Sequence, residues 1–169
     1  VYLFADGYDA LLAELGEEPS TETVVPEPGD FVVALRPSIR ATGDEVLEVA
    51  NGEATGVLID TRREAEFEGT EDRGDPRQGY IPGAIYYYWE DVYTEDGTLR
   101  SREELQAEFD ERGFLAEEVA IIPYCQTGVR SATVYAVLRW LGIDNARNYD
   151  GSWYEWSRQN DYPVAQHTE

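Results

Sequence analysis

The chain is predicted to fold as an α/β domain with a mainly parallel sheet, and three observations carry that expectation. Short apolar runs bounded by turn residues alternate with stretches of helical periodicity, as in a sheet whose strands are joined by crossover helices. Two of the runs, 56–60 and 119–124, stop at residues with chemistry in them, Asp60-Thr61-Arg62 and Cys125. Ligands of parallel sheets sit outside such carboxyl ends. Two helix starts are spelled out as capping boxes, Thr42 with Glu45 and Ser101 with Glu104.

In chain order, 1–4 reads as a strand, and Tyr8, Leu11, Leu12 and Leu15 share a helical face that Gly16 ends. Residues 17–30 are rich in Pro, Glu and Thr and read as a linker, so the main domain is expected to begin with a strand at 31–35. A helix through Val46, Leu47 and Val49 precedes the strand at 56–60. A polar loop, 69–83, closes on Gly79-Tyr80-Ile81-Pro82-Gly83-Ala84 and leads to Tyr86, Tyr87, Tyr88 and Trp89. With so few basic residues nearby, those rings fit core and pocket wall rather than a base-stacking platform. Leu105 and Phe109 mark the buried face of the next helix, with Gly113 as its stop. The strand at 119–124 follows, with Pro123 expected at its end because proline donates no ladder hydrogen bond. From Ser131 the chain is apolar nearly all round, through Val134, Val137, Leu138, Trp140 and Leu141, as a buried helix would be. A short strand near 147–149 then leads through Asp150-Gly151 to a helix with Trp153 and Trp156.

The formal charge of -22 comes from 35 acidic against 13 basic residues in 169, and all 13 are arginine. Such a lysine-free acidic surface suits very high salt, because at molar concentrations the Debye length falls to about 3 Å and self-repulsion is screened. It argues against nucleic acid and anionic membranes as partners, since both recruit basic patches. No apolar run reaches the length of a membrane span and no signal peptide is visible, so a cytoplasmic setting is expected. The single cysteine cannot form an internal disulfide, and the single histidine, His167, lies in a polar tail. A Cys-His protease and a His-rich metal site are therefore not expected, and neither is any cofactor.

The one stretch with concentrated chemistry is Cys125-Gln126-Thr127-Gly128-Val129-Arg130-Ser131, where a strand ends and a helix begins. Backbone N–H groups of a helix's first turn have no internal acceptors and converge on whatever sits before it. Together with the guanidinium of Arg130 they favour thiolate over thiol, the reactive form. Gly128 supplies the positive φ that such a loop needs. Asp6-Gly7, Leu12 and Pro19 also match Asp150-Gly151, Trp156 and Pro163 at a constant offset. Residues 1–30 therefore read as the tail of a preceding domain plus a linker, and 31–169 as the catalytic domain, with an N-terminal partner domain upstream.

Asp60-Thr61-Arg62, the 79–84 segment, the Cys125 to Arg130 loop and Tyr149-Asp150-Gly151-Ser152-Trp153 together resemble the rhodanese family, in particular the catalytic C-terminal domain of tandem-domain thiosulfate sulfurtransferases. The resemblance covers roughly 31–163. It implies a rhodanese-like fold with a five-stranded, mainly parallel sheet between helices, and a cysteine that carries a sulfane sulfur as a persulfide. On that resemblance Cys125 matches the nucleophile, and Gln126, Thr127, Gly128, Val129 and Arg130 match the loop around the persulfide. Arg62 falls where related enzymes hold a second substrate-binding arginine, and Asp60 and Ser131 are expected as structural support. Tyr80 stands where the family usually has histidine, and Gln126-Thr127 where many thiosulfate enzymes have basic residues.

The implied activity is sulfur transfer from thiosulfate to cyanide or another thiophilic acceptor, with 3-mercaptopyruvate as the alternative donor. A phosphatase or arsenate reductase of related fold would have a loop one residue longer between cysteine and arginine, enough to wrap a tetrahedral oxyanion. Here four residues separate Cys125 from Arg130, which suits one extra sulfur atom. A binding module without catalysis is the other alternative, and the retained cysteine weighs against it.

Overall fold

The computed structural model describes residues 7–16, 19–34, 36–116 and 118–166. Its centre is a parallel sheet of β1 (Gly56–Asp60), β2 (Ile85–Tyr86) and β3 (Ala120–Tyr124) in the order β2-β1-β3. Gly56 faces Ala120 and Asp60 faces Tyr124, so β1 and β3 end level with each other. Asp60 also pairs with Tyr86 of β2.

Around the sheet lie α2 (Gly43–Ala50), α3 (Glu64–Phe67), α4 (Arg102–Glu111), α5 (Val129–Leu141) and α6 (Ser152–Trp156). Before them comes α1 (Gly7–Leu15). Alternation along the strands fills both faces. Ile59 and Ile121 join Leu105, Phe109, Val134 and Leu138 on one side. Leu58 and Ile122 join Val46, Trp153 and Trp156 on the other. Each such buried aliphatic or aromatic side chain contributes about 1.5–3 kcal/mol, enough to make the two-sided core the main source of order. The capping boxes at Thr42/Glu45 and Ser101/Glu104 both form, which starts α2 and α4 where the sequence places them.

Several expectations need correction. The sheet has three strands among the described residues rather than five. On the β3 side the parallel pattern continues only as single bridges, Ile121 to Ala146 and Arg40 to Asn148. Hydrogen bonds from Arg147 N to Ile121 O and from Tyr149 N to Pro123 O keep 146–149 beside β3 without making it a strand. Pro123 gives a physical reason. It is the next-to-last residue of β3, close to the expected end, and having no N–H it removes one rung from that side of the ladder.

The strand expected at 31–35 is also not formed by its described residues, 31–34. Phe31, Val32 and Val33 are 87%, 83% and 70% exposed, so their β-branched and aromatic character has no sheet to join. Leu35 and the strand expected at 1–4 lie outside the described residues. The α1 helix forms, but it buries no residue: Leu11 and Leu12 are half-buried and Leu15 is exposed. Nor is α5 buried all round, since Val129 and Trp140 are 75% and 42% exposed. No helix among the described residues is long and apolar enough to cross a membrane.

Candidate active site

Cys125 follows the last residue of β3 and is 1% exposed. The turn behind it is fixed by backbone bonds from Trp153 N to Cys125 O, 3.0 Å, and from Tyr154 N to Gln126 O, 2.9 Å. The amide of Cys125 itself donates to Ser152 Oγ at 3.1 Å, and that hydroxyl donates onward to Tyr149 O at 2.7 Å. Ser152 makes both bonds from φ 53, the one non-glycine residue with positive φ among the described residues. A non-glycine side chain in that region is unfavourable, and here the strain is held by the bonds that seat the nucleophile.

Gly128 ends the loop at φ 82. A Cβ there would come within 2.7 Å of Asp150 Cα and 3.0 Å of Asp150 O, so both the dihedral and the approach of 150–151 require glycine. Asn148 Nδ2 donates to Gly128 O at 3.2 Å from the same side. The segment 148–152 is thus the floor on which the loop curls.

Burial opposes ionisation of the Cys125 thiol. The N–H groups of Ser131 and Thr127, the Ser131 hydroxyl and the charge of Arg130 outweigh it, so the thiol pKa lies below its ordinary value. The Ser131 hydroxyl is buried with no oxygen or nitrogen partner, which leaves its proton to turn to the sulfur. Arg130 in turn interacts with the sulfur and makes a bidentate pair with Glu66, at 2.6 and 2.8 Å. Glu66 lies on α3 and is 2% exposed. Gln126 Nε2 donates to Asp75 Oδ2 at 2.6 Å, and Arg158 reaches Asp75 Oδ1 at 2.8 Å while lying over the ring of Tyr154. Thr127 and Val129 are exposed at the rim.

Arg62 is placed differently from the expectation. It is 2% exposed, with its guanidinium on both oxygens of Asp60 and on Gly79 O at 2.7 Å. Trp153 lies 4.5 Å beneath it. Asp60 also accepts from Tyr124 Oη at 2.7 Å, and that oxygen accepts from Ile81 N at 3.1 Å. Arg62 and Asp60 therefore pin the 79–81 segment across the ends of β1 and β3, and the Arg62 guanidinium is bonded to protein acceptors where the resemblance implies a substrate-binding role. Arg73 shares Glu66 with Arg130, lying 3.8 Å from that carboxylate and 3.3 Å from Glu71, with its side chain 40% exposed. Glu66, Arg73, Asp75 and Arg158 were not singled out from the sequence. His167 lies outside the described residues.

Comparison with known proteins agrees with this geometry. The family model for a rhodanese-like domain matches residues 42–159. The chain is 36% identical over 163 residues to the sulfur carrier protein TtuD of Thermus thermophilus, covering 90% of this chain and 57% of that protein. It is 36% identical to a thiosulfate sulfurtransferase of Corynebacterium glutamicum, covering 97% of this chain and 56% of the relative. It is 37% identical to the 3-mercaptopyruvate sulfurtransferase of Escherichia coli, covering 88% and 51% respectively. The chain thus spans about half the length of these relatives. Among solved structures, wild-type EanB superposes with a TM-score of 0.75 at 25% identity, over 93% of this chain and 39% of that one.

Proposed function

The chain belongs to the rhodanese family, and from that premise we propose that it is a sulfurtransferase that carries sulfane sulfur on Cys125. The observation that carries the reading is a buried cysteine whose thiol pKa is lowered by loop N–H groups and Arg130, in a loop with four residues between cysteine and arginine. The thiolate attacks the outer sulfur of thiosulfate, the new S–S bond forms, and the old one breaks with its electron pair leaving on sulfite. Cys125 is left as Cys-S-S⁻. A cyanide or thiolate acceptor then attacks the outer sulfur and restores the thiolate. No general base is needed, because both the entering nucleophile and the departing group are anions. The same donors that lower the thiol pKa would stabilise the persulfide anion, which is costly to bury without them.

Arg130 and Arg73, rather than Arg62, are the cations within reach of a donor's oxygens in this reading. 3-Mercaptopyruvate is the second reading for the donor. The burial of Arg62 favours it, since one carboxylate needs less cationic capacity than a dianion. A tandem arrangement, with a further rhodanese-like domain preceding the linker at 17–30, is part of the proposal. So are a cytoplasmic setting and adaptation to high salt.

Two measurements test this. Incubation with thiosulfate or 3-mercaptopyruvate should add one sulfur, about 32 Da, to the intact protein, and dithiothreitol or cyanide should release it, unlike an oxidised sulfinic acid. An unchanged mass with both donors would leave a binding module as the better reading. The melting temperature should rise from dilute buffer to molar salt as the charge of -22 is screened. A flat or falling curve would remove the salt adaptation.

A further inference from the structure

Each end of the nucleophile loop is held by a buried carboxylate. Glu66, 2% exposed, takes the fork of Arg130, and Asp75, 8% exposed, takes the amide of Gln126. Each carboxylate also meets an exposed arginine on its outer side, Arg73 on Glu66 at 3.8 Å and Arg158 on Asp75 at 2.8 Å. The two long side chains with which the loop could grip an anion are therefore both bonded already to anions of the protein. A carboxylate only accepts hydrogen bonds, so the Gln126 NH₂ must face Asp75. What remains is Gln126 Oε1, buried and without a partner, an acceptor that offers an anion nothing.

We propose that Glu66 and Asp75 are specificity-determining residues, which select the charge of the sulfur donor by competing with it for Arg130 and Gln126. The proposal rests on the sulfurtransferase reading for its biological meaning, though not for its test. A carboxylate bonded to the guanidinium that binds a donor lies one side chain from that donor, and repulsion between them is weakly screened where water is excluded. The interaction scales with the donor's charge, so a dianion such as thiosulfate is penalised twice as much as a monoanion such as 3-mercaptopyruvate. Burial raises the Glu66 carboxyl pKa, but hydrogen bonds from Arg130 and the Arg63 N–H more than offset it and keep the group charged. Both residues act through others, so they are positioning residues, and their mark is a change in charge preference rather than a uniform loss.

The test compares the full chain with Glu66→Gln and Asp75→Asn, each nearly isosteric and each one charge less negative. Protection of Cys125 against iodoacetamide is measured with sulfate and with acetate at fixed ionic strength. In each variant acetate protection should strengthen about threefold and sulfate protection, at twice the charge, about tenfold. The pH midpoint for alkylation should fall in both. The ratio of KM for thiosulfate to KM for 3-mercaptopyruvate should fall with them. Equal changes for the two anions, or weaker protection by both, would show that the carboxylates only hold the loop's shape and would overturn the proposal. If thermal melting shows that Glu66→Gln does not fold, the Asp75→Asn comparison decides. If the wild type transfers no sulfur from any donor, the sulfurtransferase reading fails while the sulfate-to-acetate ratio still decides this one.

Discussion

Serine at position 125 removes the sulfur adduct and lowers transfer by on the order of a thousandfold or more, while the fold is kept. The substitution exchanges a polarisable thiolate for a hydroxyl that stays protonated in the same turn. The backbone bonds of 125 to Ser152 and Trp153 do not involve its side chain, so the loop retains its seat. Intact mass after incubation with thiosulfate and with 3-mercaptopyruvate, together with the melting temperature, checks both halves. In the wild type the rate of sulfur loading should follow the thiolate fraction. It should rise with pH and level off below the range of an ordinary cysteine, because the loop holds the Cys125 pKa down. Retained transfer in Cys125→Ser, or loading that keeps rising through the ordinary thiol range, would remove the mechanism.

What the sequence made legible was local. Capping boxes act over three residues, β1 is a short apolar run between Gly56 and Asp60, and the Cys125 loop is one contiguous segment. Each could be read without knowing what lies opposite. The misread strand at 31–35 is the converse case. Phe31, Val32 and Val33 have every local feature of a strand, but pairing is a property of a neighbour, and none is there in the described structure.

The counter-charges of the site were illegible for a related reason. Glu66 lies 64 residues from Arg130 and Asp75 lies 51 from Gln126. In a chain with 35 acidic residues neither carboxylate stands out. The role of Arg62 did carry a signal. Asp60 and Arg62 are two apart where β1 ends, and an aspartate at a turn commonly accepts from the backbone two residues on, as Asp60 does from Arg62 N at 3.0 Å. An arginine so close to a carboxylate in the sequence is more naturally its partner than a ligand's.

Replacing Arg62 by alanine should therefore cost about 3–5 kcal/mol of stability, more than any effect it has on donor affinity in the folded protein. The variant leaves Asp60 fully buried and without its cation, beside a Tyr124 hydroxyl that donates only one hydrogen bond. Burial and the nearby Asp60 charge raise the Tyr124 pKa well above the ordinary range, so the phenol remains a donor and cannot neutralise the carboxylate. The loss also frees Gly79 O and uncovers the ring of Trp153, which loosens the 79–81 segment from both strand ends. Asp60→Ala should cost a similar amount, since it leaves Arg62 charged and buried instead. Denaturant unfolding in molar salt, with KM for each donor measured on the folded fraction, separates the two roles. A stable Arg62→Ala protein with a raised KM for thiosulfate would return Arg62 to the donor site. A destabilised protein with a KM close to wild type would identify the Asp60–Arg62 pair as the clasp that fixes 79–81 across the ends of β1 and β3.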